Sequence, residues 1–311
     1  MVVNNVVHVN ECGLPLNAIE WLETHHHSKA GERACMIRDL HLKQGGLVVD
    51  AGCGPGLWTP LLAEAIGPDG RIIGVDISAE ALVTAKKRSI NTWYRHQVQY
   101  KRASLEQLPL AYGRADSIFS ANVSQYLLDP VATFAAMGPY LAPGGRLIIK
   151  DMDLGTLRFY NVDPALQARV FRARELWEKE RAEQGLLFED SWVGSKLAGY
   201  LRAAGYKDVQ VKTYRIVRRY PLAPDYRLYL EGIAEWFVGE GAPYLSREDQ
   251  TNWLHCFLNE DDNVFARESF VSEETEYIVT GVWDDSHAGD CLKLSLATQA
   301  EAEEVLVAVQ E

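Results

Sequence analysis

The sequence predicts an α/β fold in which a mostly parallel sheet is covered by helices on both faces. Short apolar runs alternate with segments of helical spacing from about residue 47 to residue 151, and Gly/Pro turns separate them. Strands joined through helices of this length lie parallel, connected by right-handed crossovers. Parallel strands read as continuous apolar runs because helices bury both of their faces.

The elements of this region follow one another in order. The predicted strands are Leu47–Asp50, Arg71–Val75, Val98–Lys101, Ala115–Ser120 and Arg146–Lys150. The predicted helices are Leu57–Ile66, Ala79–Asn91 and a third from Pro130 to about Leu141. Ser78 and Asp129 precede two of these helices and have side chains typical of N-caps, and Pro130 suits a first helical position.

The pattern changes after Asp151. Helices are predicted at about 163–181, 193–204, 226–239 and 247–259. Two long strands, Asp208–Tyr220 and Glu274–Trp283, are expected to form an antiparallel pair at one edge of the sheet. The predicted organisation is an N-terminal helical cap at 1–42, a core at 43–223 with 270–284, a helical insert at 224–269 and a tail helix at 285–311.

Composition excludes several classes of protein. The net charge of −12 argues against a broad nucleic-acid surface, which needs clustered Lys and Arg. We interpret Arg215, Arg218 and Arg219 as a solvated strand edge. Five scattered cysteines without a C-x-x-C pair predict neither a disulfide framework nor a zinc site. No signal peptide or membrane span is recognisable, so a cytoplasmic protein is expected.

The glycine-rich turn VVDAGCGPG at 48–56 is the strongest local signal. It follows a strand and precedes a helix, so its backbone can approach a ligand at a helix N-terminus. Asp76 ends the second strand 24 residues after Gly52, where a carboxylate can accept hydrogen bonds from ribose hydroxyls. Leu57 occupies the third glycine position of the pyrophosphate fingerprint. A ligand with ribose but no pyrophosphate therefore fits better than a dinucleotide.

With these residues the chain resembles the class I S-adenosylmethionine-dependent methyltransferases, especially the group that modifies quinones, sterols and natural products. The matching segments are VVDAGCGPG (48–56), GVDIS (74–78), ASLEQLPL (103–110), DSIFSANVSQYLLDP (116–130) and LAPGGRLIIKD (141–151). The resemblance covers roughly residues 30–220. It implies a Rossmann-like seven-stranded sheet with an antiparallel last strand, and S-adenosylmethionine as the cofactor.

The resemblance also implies which residues bind the cofactor: Asp50, Gly52, Gly54, Gly56, Asp76, Ile77, Ser104, Leu105 and Asn122. Asp76 would hold the ribose with Ile77 against the adenine, and Asn122 would contact the methionine moiety. Asp50 would lie beneath the glycine loop, near the cofactor ammonium. The family often has Asp where this chain has Ser104, which can still accept a hydrogen bond from the adenine amino group but carries no charge.

The acceptor side is less defined. Candidate general bases are His255, Tyr126 and Asp153, with His25–His27 as a further option, and none has a spacing that singles it out. We interpret His25–His27 as a solvated helix end, because consecutive helical residues point about 100° apart and cannot all reach one metal ion. Asp151 and Asp153 do not match the local sequence of the magnesium-dependent methyltransferases. No metal is therefore predicted.

An aromatic set surrounds the predicted acceptor region. Its members are Trp21, Tyr160, Trp177, Trp192, Tyr229, Trp236, Phe237 and Trp253. Each alone is better explained by core packing, but the set indicates a bulky, partly apolar small-molecule acceptor such as a secondary metabolite. The segments at about 15–42 and 224–260 are expected to close over the site as a lid.

Other functions stay open at this point. A protein of this fold could bind S-adenosylmethionine without methylating, in a regulatory role or for other catalysis. A dinucleotide-dependent oxidoreductase is disfavoured by Leu57, and a nucleic-acid methyltransferase by the net charge. The oligomeric state is also open, with a homodimer as one option.

Overall fold

A single seven-stranded sheet organises the chain. The computed structural model describes residues 19–186 and 188–283. The sheet has the order β3-β2-β1-β4-β5-β7-β6. Its strands are β1 (Leu47–Ala51), β2 (Arg71–Asp76), β3 (Val98–Arg102), β4 (Ala115–Ala121), β5 (Leu141–Phe159), β6 (Tyr206–Arg219) and β7 (Val271–Trp283). β1 to β5 are parallel, and β7 is antiparallel to β5 and β6. The predicted parallel sheet with an antiparallel last strand is confirmed.

Nine α-helices connect or cover the strands within the described ranges. They are α1 (Ile19–Ser28), α2 (Ala30–Asp39), α3 (Thr59–Ile66), α4 (Ala79–Ser89), α5 (Pro130–Met137), α6 (Pro164–Glu183), α7 (Leu197–Ala203), α8 (Pro224–Gly241) and α9 (Arg247–Leu258). Ser78 caps α4 as predicted, since its Oγ accepts a hydrogen bond from Ala81 N at 3.1 Å. Asp129 caps α5 through Ala132 N at 2.9 Å. Each of these helices is too short or too polar to cross a bilayer.

Both faces of the sheet are buried, as continuous apolar strands require. Neighbouring residues of β1 illustrate this: Val48 packs with α2 and α3 on one face, and Val49 packs with α5 and α7 on the other. Successive side chains of a strand point to opposite faces, so each apolar pair serves both layers. The glycine loop and Asp76 therefore stand at the carboxyl ends of β1 and β2, on a rigid base.

The helical part beyond the sheet has its own apolar cluster. β5 continues to Phe159, nine residues past its predicted end at Lys150, because β7 pairs with the extension as far as Phe159. Leu157 and Phe159 of this extension pack against Trp253 of α9, Phe237 of α8 and their neighbours. The predicted insert thus shares one core cluster with α6 and β5. Its boundaries stay a prediction.

The described part of the predicted N-terminal cap contains two helices. It forms α1 and α2, with a break at Lys29, whose φ is −126° and ψ is 25°. Residues 1–18 of the predicted cap and the predicted tail helix at 285–311 lie outside the described residues.

Candidate active site

The glycine loop joins β1 to α3 through residues with left-handed backbone. Gly52 and Gly54 have φ values of 75° and 51°. The N–H groups of Gly52 and Cys53 donate to Val75 O at 2.8 and 3.0 Å, which anchors the loop to the end of β2. A Cβ at position 52 would overlap the side chain of Val123, whereas a Cβ at Gly54 would meet no described atom within 4 Å. The loop is therefore packed on one side and open at Gly54.

The carboxylate of Asp76 is oriented by the backbone around it. Its Oδ2 accepts a hydrogen bond from Gly54 N at 2.8 Å, and its Oδ1 accepts one from Ser78 N at 2.9 Å. A carboxylate has about four lone-pair sites, so it can accept ribose hydroxyls alongside these two backbone groups. The structure therefore places the open face of the loop next to a preoriented hydrogen-bond acceptor, the Asp76 carboxylate. These groups fit S-adenosylmethionine.

Asp50 lies beneath the loop with a 1% exposed side chain. Burial, assisted by the nearby Asp76 charge, raises the pKa of Asp50 to about 7. A cation beside Asp50 would favour its ionised form. The ionised carboxylate would then pair with the cofactor ammonium, as the resemblance implies. Gly56 has a φ of 75° and is closely packed, because a Cβ there would crowd Ala85 and the Tyr100 hydroxyl, and its contact with the cofactor stays a prediction.

The predicted adenine side lies where β2 and β3 end. Ala103 N donates to Asp76 O at 3.2 Å, which brings the segment containing Ser104 beside the residue that is predicted to bind the ribose. The Leu105 side chain is 8% exposed and belongs to the core cluster under α5. The contact of Leu105 with the cofactor stays a prediction. Ile77 O accepts a hydrogen bond from Arg102 Nε at 2.8 Å.

Asn122 follows β4 and is held in a strained conformation by Lys150. Its φ of 57° is unusual for a residue other than glycine. Asn122 N donates to Lys150 O at 2.8 Å, and Asn122 Oδ1 accepts from Lys150 Nζ at 2.7 Å. Burial lowers the pKa of Lys150 to about 8. Lys150 thus fixes the side chain that is predicted to face the methionine moiety.

Lys150 belongs to a group of buried ionic side chains that the sequence did not predict. We call Lys29, Arg33, Lys150, Glu274 and Glu276 the buried charge cluster. Lys29 Nζ lies 2.7 Å from Glu274 Oε2 and 3.0 Å from Glu276 Oε1, and Lys150 Nζ lies 3.0 Å from Glu276 Oε2. Each of the five side chains is at most 1% exposed. The neighbouring cations hold the pKa of Glu276 well below its usual range.

Two of the three consecutive histidines are buried, so their interpretation as a solvated helix end is wrong for them. His25 stacks on Tyr229 at 5.1 Å between ring centroids. His26 Nδ1 lies 2.8 Å from Arg33 Nη1, and its ring meets the edge of Trp58. Burial lowers the pKa of both imidazoles, so both are neutral at pH 7. No described group of three His, Cys, Asp or Glu side chains could hold a metal ion.

Comparison with known proteins decides the family. A family model described as a methyltransferase domain matches residues 42–204. The chain belongs to this methyltransferase family. The predicted family, fold class and cofactor are therefore confirmed.

Several curated proteins are similar to this methyltransferase-family chain. An uncharacterized 37.1 kDa protein in transposon TN4556 of Streptomyces fradiae is 30% identical over 71% of this chain and 60% of that protein. The trans-aconitate 2-methyltransferase of an Azoarcus species is 36% identical over 42% of this chain and 50% of its own. The demethylmenaquinone methyltransferase of Geobacillus stearothermophilus is 26% identical over 58% and 80%, respectively.

The match is partial in length for some of them. It spans 60% of the Streptomyces protein and 49% of a Synechococcus relative. Among solved structures, the chain is similar to the YcgJ protein of Bacillus subtilis, with 16% identity over 83% of this chain and 99% of that chain and a TM-score of 0.49.

The candidate general bases of this methyltransferase-family chain differ in their surroundings. Burial and the nearby Glu189 carboxylate raise the pKa of Tyr126, which disfavours its ionised form. Asp153 anchors backbone: its Oδ1 accepts from Gly155 N at 2.9 Å and its Oδ2 from Ser195 N at 3.2 Å. His255 is exposed on α9, and its Nδ1 lies 3.2 Å from Nδ2 of Asn259. It does not join the other site residues, because its side chain faces solvent.

Most of the aromatic set serves as core, although sequence reasoning weighted it as a pocket. Tyr229, Phe237 and Trp253 are fully buried in the cluster of α6, α8 and α9, while Tyr160 is 60% exposed. Trp21 stacks on Tyr229 at 5.8 Å between ring centroids and so ties α1 to α8.

The helix α1 also lies against the glycine loop. Arg88 of α4 donates to Pro55 O at 3.1 Å and to Glu23 of α1 at 2.5 Å. Arg218 is not part of a solvated edge, because it donates to both carboxylate oxygens of Glu32 at 2.7 and 2.9 Å. α1 and α2 are thus held between the loop, α8 and the sheet edge. At this position they could cover the predicted cofactor site.

Proposed function

We propose that the protein is an S-adenosylmethionine-dependent methyltransferase that acts on an O, N or C nucleophile of a small molecule. One observation carries the proposal: the Asp76 carboxylate is held by Gly54 N and Ser78 N beside the open face of the glycine loop. A preoriented ribose acceptor next to exposed backbone suits a nucleoside cofactor without pyrophosphate. Membership of the methyltransferase domain family supports the same function.

The protein residues would bind, orient and exclude water. When bound, the cofactor supplies the methyl group as an electrophile on its sulfonium sulfur, and no protein nucleophile is required. Asp76 would hold the ribose, and Asn122, fixed by Lys150, would orient the methionine moiety. Alignment of the acceptor then provides much of the rate enhancement. α1 and α8, joined by the stacking of Trp21 on Tyr229, would cover the methyl group.

The acceptor would be a bulky, partly apolar small molecule. Three aromatic side chains of the helical region above the sheet, Trp21, Trp192 and Trp236, are only partly buried against the core cluster, and they favour such a ligand. Two relatives are named for acceptors of different character, a menaquinone precursor and trans-aconitate. A carboxylate-bearing acceptor is therefore compatible with the family as well as an apolar one.

The test of the cofactor site is calorimetric titration with S-adenosylhomocysteine. Asp76→Ala removes the ribose acceptor and should weaken binding on the order of 100-fold, because two charge-assisted hydrogen bonds are lost. Binding of S-adenosylhomocysteine by the wild type, together with the expected loss of affinity in Asp76→Ala, supports the cofactor site. Absence of binding to a folded wild type would refute it. Formation of a methylated product in a screen of small-molecule acceptors separates a methyltransferase from a protein that only binds the cofactor.

A pair of glycine variants tests the open face of the loop. Gly54 and Gly144 both have positive φ, 51° and 75°, and a Cβ at either meets no described atom within 4 Å. Alanine should cost about 1–2 kcal/mol of stability at each position, because both need left-handed backbone. Only Gly54→Ala should also weaken the binding of S-adenosylhomocysteine, on the order of tenfold, because the added Cβ would occupy space that the ligand needs. Equal affinities for the two variants would contradict this use of the loop.

A further inference from the structure

Arg33 of α2 is a buried cation with unused donors. Its side chain is 1% exposed. Nη1 lies 2.8 Å from His26 Nδ1, but Nε and Nη2 have no hydrogen-bond partner among the described residues. An unpaired buried donor normally costs about 1–3 kcal/mol, and more when it is charged. Natural folds seldom bury such a group unpaired, so its presence needs an explanation.

The charges around Arg33 do not balance. Three cations, Lys29, Arg33 and Lys150, face the two carboxylates Glu274 and Glu276, which leaves one positive charge in excess. Neutral His25 and His26 add nothing to this count. Asp151 follows Lys150 in β5 and points to the opposite side of the strand, where its carboxylate accepts from the N–H groups of Ser124 and Met152.

The unused donors lie near the predicted cofactor site. The Arg33 guanidinium carbon is 5.0 Å from the ring centroid of Trp58, which lies two positions after the glycine loop and immediately precedes α3. Lys150 Nζ is 6.0 Å from the same ring and binds Asn122 Oδ1. Arg33 thus lies in the covering helix α2, on the same Trp58 ring as Lys150, which binds the residue predicted to face the amino-acid end of the cofactor.

We propose that Arg33, with Lys29 and Lys150 beside it, binds a carboxylate group of a substrate in the closed site. Nε and Nη2 form one edge of the planar guanidinium, and this edge matches the two oxygens of a carboxylate in a bidentate pair. The carboxylate also neutralises the excess charge. It belongs either to the amino-acid part of the cofactor or to the acceptor. This inference rests on the proposed function, because it needs a methyl-transfer site at this edge of the sheet.

Two ligands that differ only at the amino-acid end distinguish the sources. S-adenosylhomocysteine carries the carboxylate, and 5′-methylthioadenosine has the same adenosine and thioether without it. If Arg33 binds the cofactor carboxylate, Arg33→Met weakens the binding of S-adenosylhomocysteine by about 10- to 100-fold and leaves the affinity for 5′-methylthioadenosine unchanged. Arg33→Lys keeps the charge but lacks the two parallel N–H donors of the guanidinium, so it should recover part of the lost affinity. The wild type must first bind both ligands. If it binds neither, the proposed function fails, whatever the Arg33 variants do.

The acceptor alternative has its own probe. The thermal midpoint of the S-adenosylhomocysteine-bound wild type is measured in millimolar acetate and in the neutral isostere acetamide at matched ionic strength. For an acceptor carboxylate, acetate raises the midpoint, acetamide does not, and Arg33→Met loses the response while binding S-adenosylhomocysteine normally.

Arg218→Met is the matched control for structural damage. Arg218 anchors the same helix α2 through Glu32, but its side chain is part of the outer layer and 24% exposed. This variant should change neither the ratio of the two ligand affinities nor the acetate response. If Arg33→Met weakens both ligands equally, or changes neither the ligand affinities nor the acetate response, Arg33 is structural and the inference is overturned.

Discussion

The glycine-loop edge and the buried charge cluster are neighbours in the fold but are held together in opposite ways. At the loop, Asp76 accepts hydrogen bonds from backbone N–H groups 2 and 22 residues away. In the cluster, Lys29 contacts the carboxylates of Glu274 and Glu276, which lie 245 and 247 residues away. The first site is made of backbone near in sequence, and the second of side chains far apart in sequence.

This difference determines how each region responds to mutation. A backbone-made site depends on conformation, so it tolerates most side chains except where positive φ or close packing requires glycine. A dry ionic cluster depends on every member, because removal of one charge leaves its partners buried and unpaired. The charge cluster should therefore dominate stability, and the loop should dominate cofactor affinity.

The largest effect is expected at Glu276, which contacts both Lys29 and Lys150. Glu276→Gln should lower the free energy of unfolding by about 3–5 kcal/mol, because it leaves two ammonium groups without their shared carboxylate. Urea denaturation measures this loss. The control is Glu273→Gln on the same strand, whose partner Arg215 is 65% exposed, and it should cost less than about 1 kcal/mol. Similar losses for the two variants would contradict the comparison.

The same difference explains what the sequence predicts and what it does not. The seven strands follow from local apolar runs and turns, and the glycine loop with Asp76 follows from residue types at short spacing. Ser272, Glu274 and Glu276 share one face of a strand whose first half, VSEETE, is mostly polar, and such a composition is typical of a strand with that face in solvent. α1, α2 and α8 cover that face, so the polar residues become buried. Tertiary contact alone determines this, and no local pattern records it.

Two signals in the sequence could have indicated the cluster. Lys150 ends an apolar strand, LIIK, that is buried on both faces, and such a lysine needs a partner. The aromatic residues of α8 indicate that something covers the sheet edge. The partners of Lys29 could not be foreseen, because Glu274 and Glu276 lie 245 and 247 residues away in the sequence.

A smaller, pH-dependent effect is expected at His26. Burial, and then Arg33 and other nearby cations, lower the pKa of His26 below its ordinary value of 6.5, so the unfolded chain takes up a proton that the folded chain refuses. Wild-type stability should therefore fall relative to His26→Gln as the pH falls from 7 to 5, by about 2 kcal/mol at pH 5. Urea denaturation at both pH values measures the difference. His27→Gln, at an exposed position, should follow the wild type. A constant difference between His26→Gln and the wild type would mean that His26 takes up a proton in the fold as readily as in the unfolded chain.

The smallest effect is expected where a side chain sits within the backbone-made edge. Ser78 Oγ caps α4 through Ala81 N, while Ser78 N holds Asp76. Ser78→Ala removes the cap and should cost about 1 kcal/mol of stability. It keeps the N–H group, so S-adenosylhomocysteine affinity should not change. Ser246→Ala, which removes the equivalent cap of α9, controls for the loss of a helix cap. If Ser78→Ala weakened the ligand and Ser246→Ala did not, the orientation of Asp76 would depend on the helix that follows it, and the loop edge would be less independent of side chains than its hydrogen bonds indicate.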